Sequence, residues 1–278
     1  MTRSVLITGC STGIGQALAL ALHQRGLSVL ATARRPDSLA ALAAQGIRTA
    51  ALDVDSEASI ATLMAELARD DLAVDMLINN AGYGAMGPLA EMPADVLEQQ
   101  FRTNVFGLMA ITRAVIPGMV ARGQGRIVNL GSVSGILTTP FAGAYCASKA
   151  AVHALSDALR LELAPFGIEV IVIQPGGIQS SFGANASAGV SARGDTLSLY
   201  APVADAIAAR ANASQDNATP VTVFAEAMAD VILAENPPAF ATLGHGSTVL
   251  PALQRWLPVC WRDRLLGRRF GLARLGTK

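Results

Sequence analysis

The chain has 278 residues, 51% of them hydrophobic, and its 21 basic and 21 acidic residues cancel. That is enough apolar material for one large core in a single α/β domain, and the balanced charge argues against a nucleic-acid partner. No uninterrupted apolar run reaches the roughly eighteen residues of a membrane span, and Cys10, Cys146 and Cys260 are scattered without metal-ligand spacing. A cytoplasmic, reducing compartment and no metal are therefore expected.

In chain order, Ser4-Val5-Leu6-Ile7 reads as a short strand, too close to the start to leave room for a signal peptide's apolar region. It stops at Thr8-Gly9, and Cys10-Ser11-Thr12-Gly13-Ile14-Gly15 opens a helix running to about Arg25. Glycines at 9, 13 and 15 let backbone approach a diphosphate, and the helix N-terminus offers amide donors to the anion. A tight turn without a ligand is the plain alternative. A second strand, Leu27 to Thr32, runs into Ala33-Arg34-Arg35, where a chain built for NAD would place a carboxylate for the ribose hydroxyls. Two guanidiniums suit a 2′-phosphate instead, so NADP(H) is preferred and NAD(H) is the alternative. The competing reading has both arginines in a solvated loop.

A helix near Ser38 to Gln45 and a strand Ile47 to Leu52 lead to Asp53, placed to accept from an adenine amino group, and to Asp55, read as a helix N-cap. A helix from Ser56 to Ala68 precedes the strand Asp75 to Ile78 and the small turn Asn79-Asn80-Ala81-Gly82, in which Asn79 is read as structural. Pro93 to Gly123 reads as two successive helices, the second apolar on nearly every face and hence buried, with Asn104 needing polar partners.

Arg126 to Leu130 is a buried strand ending near Ser132, and the helix that follows carries Tyr145 and Lys149 on one face. Arginine supplies nearly all the positive charge, the only lysines being Lys149 and Lys278, so Lys149 one turn from a tyrosine stands out. Hydroxyl, phenol and ammonium converging at a strand end form an arrangement for moving a proton on and off oxygen. A buried tyrosine beside an exposed lysine is the simpler reading of that pair.

Ile168 to Gln174 is the next strand, closed by Pro175-Gly176. Residues 178–219 turn Ala-, Ser- and Gly-rich, either a flap of one or two short helices over the substrate or a disordered insertion. A helix from Val221 to about Ala234 and a strand Phe240 to Leu243 follow. The tail interleaves arginines with Trp256 and Trp261 as amphipathic helices divided by Pro258; it packs on the body, joins an oligomer or touches an anionic membrane. The expected architecture is a doubly wound parallel sheet with helices on both faces, as a catalytic domain over 1–246 and an extension over 247–278.

With these residues in hand, the chain resembles the short-chain dehydrogenase/reductase family, single-domain type, over about Ser4 to Leu243. Thr8 to Gly15 is similar to its TGxxxGIG, Asn79 to Gly82 to its NNAG, Ser132, Tyr145 and Lys149 to its Ser…YxxxK, and Pro175-Gly176 to its PG turn. Asn104 falls at the fourth member of the family's catalytic tetrad. Ser180 stands where many relatives carry threonine, and the tail exceeds the minimal fold, as in subgroups acting on lipophilic alcohols.

The resemblance implies cofactor contacts from Gly9, Ser11, Thr12, Gly13, Ile14, Gly15, Arg34, Arg35, Asp53, Val54, Asn80, Ala81, Gly82, Tyr145, Lys149, Pro175, Gly176, Ile178 and Ser180. It implies hydride exchange between NADP(H) and a hydrophobic ketone or secondary alcohol. Tyr145 would exchange the proton, Ser132 would hold the substrate oxygen, and Asn104 would hold a water. Lys149 would bond the nicotinamide ribose and, with the oxidised nicotinamide, lower the phenol's pKa. A homodimer or homotetramer is expected from apolar faces on the Asn104 and Tyr145 helices. The alternatives are a dehydratase or epimerase on the same scaffold, a sensor that binds NADP(H) without turnover, and a membrane-associated protein whose tail is the functional part.

Overall fold

A computed structural model describes residues 3–191 and 197–276. Seven strands run β1 (Ser4–Ile7), β2 (Ser28–Ala33), β3 (Arg48–Ala51), β4 (Met76–Asn79), β5 (Gly125–Leu130), β6 (Ile168–Pro175) and β7 (Phe240–Leu243). All pair in parallel in the order β3-β2-β1-β4-β5-β6-β7. The order reverses between β1 and β4, and the crevice at that switch is where such sheets take ligands.

Strand alternation builds a core on each face. Val5, Ile7, Ile78, Val128 and Ile171 point to one side, packed by α1 (Gly13–Gln24) and α9 (Val221–Leu233). Leu6, Leu77, Ile127 and Val170 point to the other, under α3 (Glu57–Arg69), α5 (Leu108–Arg122) and α6 (Gly143–Leu163). Period-two alternation in strands buried on both faces requires apolar residues at nearly every position, and the sequence supplies them. Polar Thr32, Asn79, Asn129 and Gln174 are also buried in the strands, and Arg126 is the buried charged one. It pairs with Glu169 on β6 at 2.5 Å and donates to the Ile232 and Ala234 carbonyls, tying two strands to the end of α9.

Several expectations need correcting. The segment after β2 is a 3₁₀ turn, Pro36–Leu39, followed by a single turn α2 (Ala40–Ala43). Ser56, not Asp55, caps α3, accepting the Ser59 amide at 3.2 Å; the Asp55 carboxylate takes Gln99 and Thr103 instead. The two helices expected over 93–123, α4 (Ala94–Phe101) and α5, are joined by a π-helical stretch, Arg102–Gly107, into one continuous rod. That rod is long and apolar enough to cross a membrane by length and composition. It is not buried all round. Leu108, Ile111, Val115 and Met119 face the sheet while Phe106 is 64% exposed, because sheet and α3 cover only its inner side.

Residues 178–219, expected as a flap or a disordered insertion, include two short helices among the described residues, α7 (Phe182–Ser191) and α8 (Ala204–Asn212). The tail folds as α10 (Val249–Trp256) and α11 (Val259–Arg269), split at Pro258. Phe270 packs with Phe141, Val203 and Ile207, so the tail docks on the flap and on the loop before α6.

Candidate active site

The turn after β1 is shaped by close approach. Gly9 (φ +73°) leaves no room for a side chain, since a Cβ there would lie 2.8 Å from the Ala81 Cα; at Gly15 it would lie 2.5 Å from the Gly9 carbonyl. Gly13 also takes a positive φ, +62°. Asn80 Nδ2 donates to the Thr8 and Gly9 carbonyls at 2.9 Å each, and Thr8 Oγ1 accepts the amides of Asn80 and Ala81. Two loops are thereby braced across the β1–β4 switch. The first turn of α1 carries no acidic side chain, and no side chain caps it, so its amides suit an anion.

Around this turn the structure gathers most of the expected nucleotide contacts. Ser11 and Ile14 are half-buried and Thr12 is exposed. Arg34 and Arg35 are exposed just beyond β2, with no ion pair among the described residues. Asp53 spends one carboxylate oxygen on the Asp55 amide. Val54 is buried against Gly107, a packing role the sequence reading did not foresee. Gly82 abuts Asn104, and Asn79 is structural as expected, donating to Thr112 and Asn129 at 2.8 Å each. Past β6, Gly176 donates to the Leu243 carbonyl and Ile178 is buried. Ser180 lies over Gly13, 3.3 Å from where a Cβ would be, and Ser181 Oγ meets Thr12 Oγ1 at 2.8 Å. The start of the flap therefore rests directly on the glycine turn.

Ser132, Tyr145, Lys149 and Asn104 are all buried and converge at the carboxyl edge of β4 and β5. Ser132, extended at φ −172°, accepts the Ser134 amide at 3.1 Å, and its hydroxyl lies near enough to the Tyr145 phenol to favour the ionised form. Lys149 Nζ sits 5.9 Å from the Tyr145 ring centroid and donates to the Leu130 carbonyl at 2.6 Å. Asn104 lies in the π-helical stretch, where its side chain both donates to and accepts from the Tyr83 backbone and donates to Ser148 Oγ at 3.1 Å. Ser148 in turn donates to the Tyr145 carbonyl, so Asn104 reaches the tyrosine's helix through one hydroxyl. A π-turn inserts one residue and re-aims a side chain, which is how Asn104 comes to face inward.

In the chain without nucleotide, Lys149 alone does not lower the phenol. Burial pushes the Tyr145 phenol up to about 12, and the lowering influences are Ser132 and, at longer range, Arg210, not Lys149. Burial also pulls Lys149 down to about 8. Desolvation penalises both charged forms more than an ammonium beside the ring repays.

Four positions escaped the sequence reading. His153 lies one turn beyond Lys149 on the Tyr145–Lys149 face, a spacing that offered the signal. Its Nε2 accepts the Ser132 amide at 3.4 Å, and burial, with Lys149 nearby, lowers it to about 4. Gln100, four residues before Asn104, bridges the Tyr83 carbonyl and the Ala85 amide. Phe182 packs against Tyr145 in a tilted pair. Arg210 on α8 is buried and donates to Thr139 Oγ1 at 2.9 Å, with no carboxylate partner among the described residues. For these last two the sequence held no periodic signal.

Beside the site is a cleft of about 530 Å³ lined by Leu89, Leu137, Phe141, Tyr200, Leu266 and Arg262, among others. Those residues come from the loop after Tyr83, the loop before α6, the segment before α8 and the tail.

A family model described as short chain dehydrogenase matches residues 3–191. The Escherichia coli (strain K12) oxidoreductase YbbO, itself uncharacterized, is 44% identical over 183 residues, which is 66% of this chain and 68% of that one. A short-chain dehydrogenase from Streptomyces avermitilis superposes with a TM-score of 0.77 at 27% identity, covering 100% of this chain and 99% of that one. The closed form of a serine dehydrogenase complexed with NADP+ gives 0.75 at 29% identity, over 87% and 94%. With glycine turn, switch-point sheet and Ser–Tyr–Lys convergence in one crevice, the chain belongs to the short-chain dehydrogenase family of oxidoreductases.

Proposed function

We propose that the chain is an NADP(H)-dependent reductase of hydrophobic carbonyl compounds, or dehydrogenase of the matching secondary alcohols. The observation that carries this reading is the meeting of Ser132, Tyr145 and Lys149 beside the glycine turn. The turn's amides, with Gly9 and Gly13, would hold the diphosphate, and Arg34 and Arg35 a 2′-phosphate. When bound, the nicotinamide supplies or accepts the hydride. Ser132 then donates to the substrate oxygen as charge develops there, and Tyr145 passes its proton to that oxygen. Lys149, drawn toward neutrality by burial, gains most from a polar partner such as a ribose hydroxyl. Asn104 and Ser148 hold the backbone around the tyrosine. The apolar cleft walls favour a hydrophobic substrate. Exposed Phe106, Leu161 and Phe166 support a homo-oligomer through the outer faces of the Asn104 and Tyr145 helices.

The test is a screen of ketones and alcohols by absorbance of the reduced nucleotide, with NADPH and NADH in parallel. Tyr145→Phe should lower turnover by ~10³-fold or more while leaving NADPH affinity intact. Normal activity in that variant, or affinity for neither nucleotide in the wild type, would refute the proposal.

A further inference from the structure

The two C-terminal helices have unlike sides. Toward the body, Leu250, Leu253 and Leu266 are half-buried and Phe270 is buried. On the outside, Val249 (55%), Trp256 (77%), Val259 (60%), Trp261 (61%) and Leu265 (47%) are exposed. Val249 and Trp256 are seven apart on α10, and Trp261 and Leu265 four apart on α11, so each pair shares a helix face. Arg255, Arg264, Arg268 and Arg269 accompany them, none with a carboxylate partner among the described residues. The Arg255 guanidinium lies over the Trp256 ring at 5.2 Å and that of Arg264 over Trp261 at 5.9 Å.

We propose that this outer surface docks on an anionic lipid bilayer. Indole rings prefer the depth of the lipid headgroups, and arginine stems lie along apolar surface while their guanidiniums reach phosphates. Charge decides between this partner and a second copy of the chain. A two-fold contact would lay the arginine cluster against itself, with Asp263 the only acidic side chain in 248–276 to offset it. An anionic bilayer complements all of it. The inner side of the same helices, through Gln254, Arg262 and Leu266, walls the cleft. Docking would therefore bring the cleft close to the membrane, a route for an apolar substrate; that last step rests on the proposed function, and the docking does not.

Trp256 and Trp261 are the only tryptophans in the chain, so fluorescence excited selectively at tryptophan reports on this surface alone. The test mixes the full chain with phosphatidylcholine vesicles, with and without phosphatidylglycerol. The expected result is flotation at least ~10-fold stronger with phosphatidylglycerol, an emission shift to shorter wavelength, and release by high salt. Trp256→Ser/Trp261→Ser and Arg264→Gln/Arg268→Gln should each lose flotation while keeping the wild-type melting temperature, since these side chains are exposed. Absent flotation, or equal binding to neutral and anionic vesicles, overturns the proposal. So does a lipid-free emission shift that grows with protein concentration alongside a dimer mass lost in Trp256→Ser/Trp261→Ser, which would assign the face to a second copy. No nucleotide or turnover enters these readings, so a failed reductase assay and a failed docking assay are distinguishable.

Discussion

The ring of Phe182 lies against that of Tyr145, centroids 5.2 Å apart and planes tilted by 55°. Phe182 opens α7 and also fills the space beside Gly84, where a Cβ would lie 2.6 Å from its Cζ. The flap thus supplies the apolar wall that dries the phenol. Phe182→Ala should let water reach Tyr145, move its pKa from about 12 toward the ordinary value near 10, and cut kcat/KM by roughly 10-fold. A variant with unchanged pH profile and unchanged kcat/KM would show that the packing has no bearing on the phenol.

The same burial makes a prediction for the free chain. The phenolate absorbance difference between wild type and Tyr145→Phe should be absent near pH 10, where a free phenol titrates, and should emerge only toward 12. Adding the oxidised nucleotide should bring that difference to lower pH, because it introduces a positive charge beside the ring. Ser132→Ala removes the main influence opposing burial, so it should raise the phenol further and lower turnover by ~10²-fold. A difference spectrum already present at pH 10 in the free chain would contradict the desolvation account.

Much of this site was legible in the sequence because strand ends and helix starts are marked by local chemistry. Gly9, Ser132, Tyr145 and Lys149 sit at such junctions, and apolar strands such as Ile168 to Gln174 announce themselves. The Phe240–Leu243 strand falls on the residues expected. What stayed hidden depends on contacts between distant segments. The π-turn at Asn104 follows from the fit of one rod against loop and sheet, and nothing within Arg102–Gly107 announces it. The partial exposure of the rod is hidden because an apolar helix face reads the same whether it meets a core or another surface. The raised pKa of Tyr145 in the chain without nucleotide is hidden too, because the sequence shows its charged neighbour and not the depth of its burial.

The glycine turn offers a test of nucleotide binding separate from chemistry. A side chain at position 9 would meet the Ala81 backbone at 2.8 Å in a left-handed conformation, so the turn itself must shift. Gly9→Ala should therefore weaken NADPH binding by at least ~10-fold and lower the melting temperature by several degrees, at a cost of about 1–3 kcal/mol. Isothermal titration against wild type reads the first effect and calorimetry the second. Undiminished affinity would place the nucleotide elsewhere.

Under the proposed function, Arg34 and Arg35 would carry a preference for the phosphorylated nucleotide. Two charge-assisted hydrogen bonds to a 2′-phosphate, each worth about 1.5–3 kcal/mol, predict a loss of roughly 10²-fold or more in NADPH affinity for Arg34→Ala/Arg35→Ala. Affinity for NADH, which lacks that phosphate, should change little. Equal losses for both nucleotides would mean that the arginines serve the fold and not the phosphate.

His153 links the site to acid stability. Its Nε2 must stay unprotonated to accept the Ser132 amide, and burial with Lys149 nearby lowers it from 6.5 to about 4. Between those values the unfolded chain binds a proton that the folded chain refuses. Stability from this group is therefore full above about pH 6.5 and falls as the pH drops toward 4, by up to about 3 kcal/mol. His153→Gln keeps an amide oxygen able to accept from Ser132 but cannot titrate. Its urea midpoint should vary less between pH 7 and pH 4.5 than that of the wild type, and its turnover should depend less on pH over the same range. Parallel acid limbs for the two proteins would show that other groups, not His153, set the acid sensitivity.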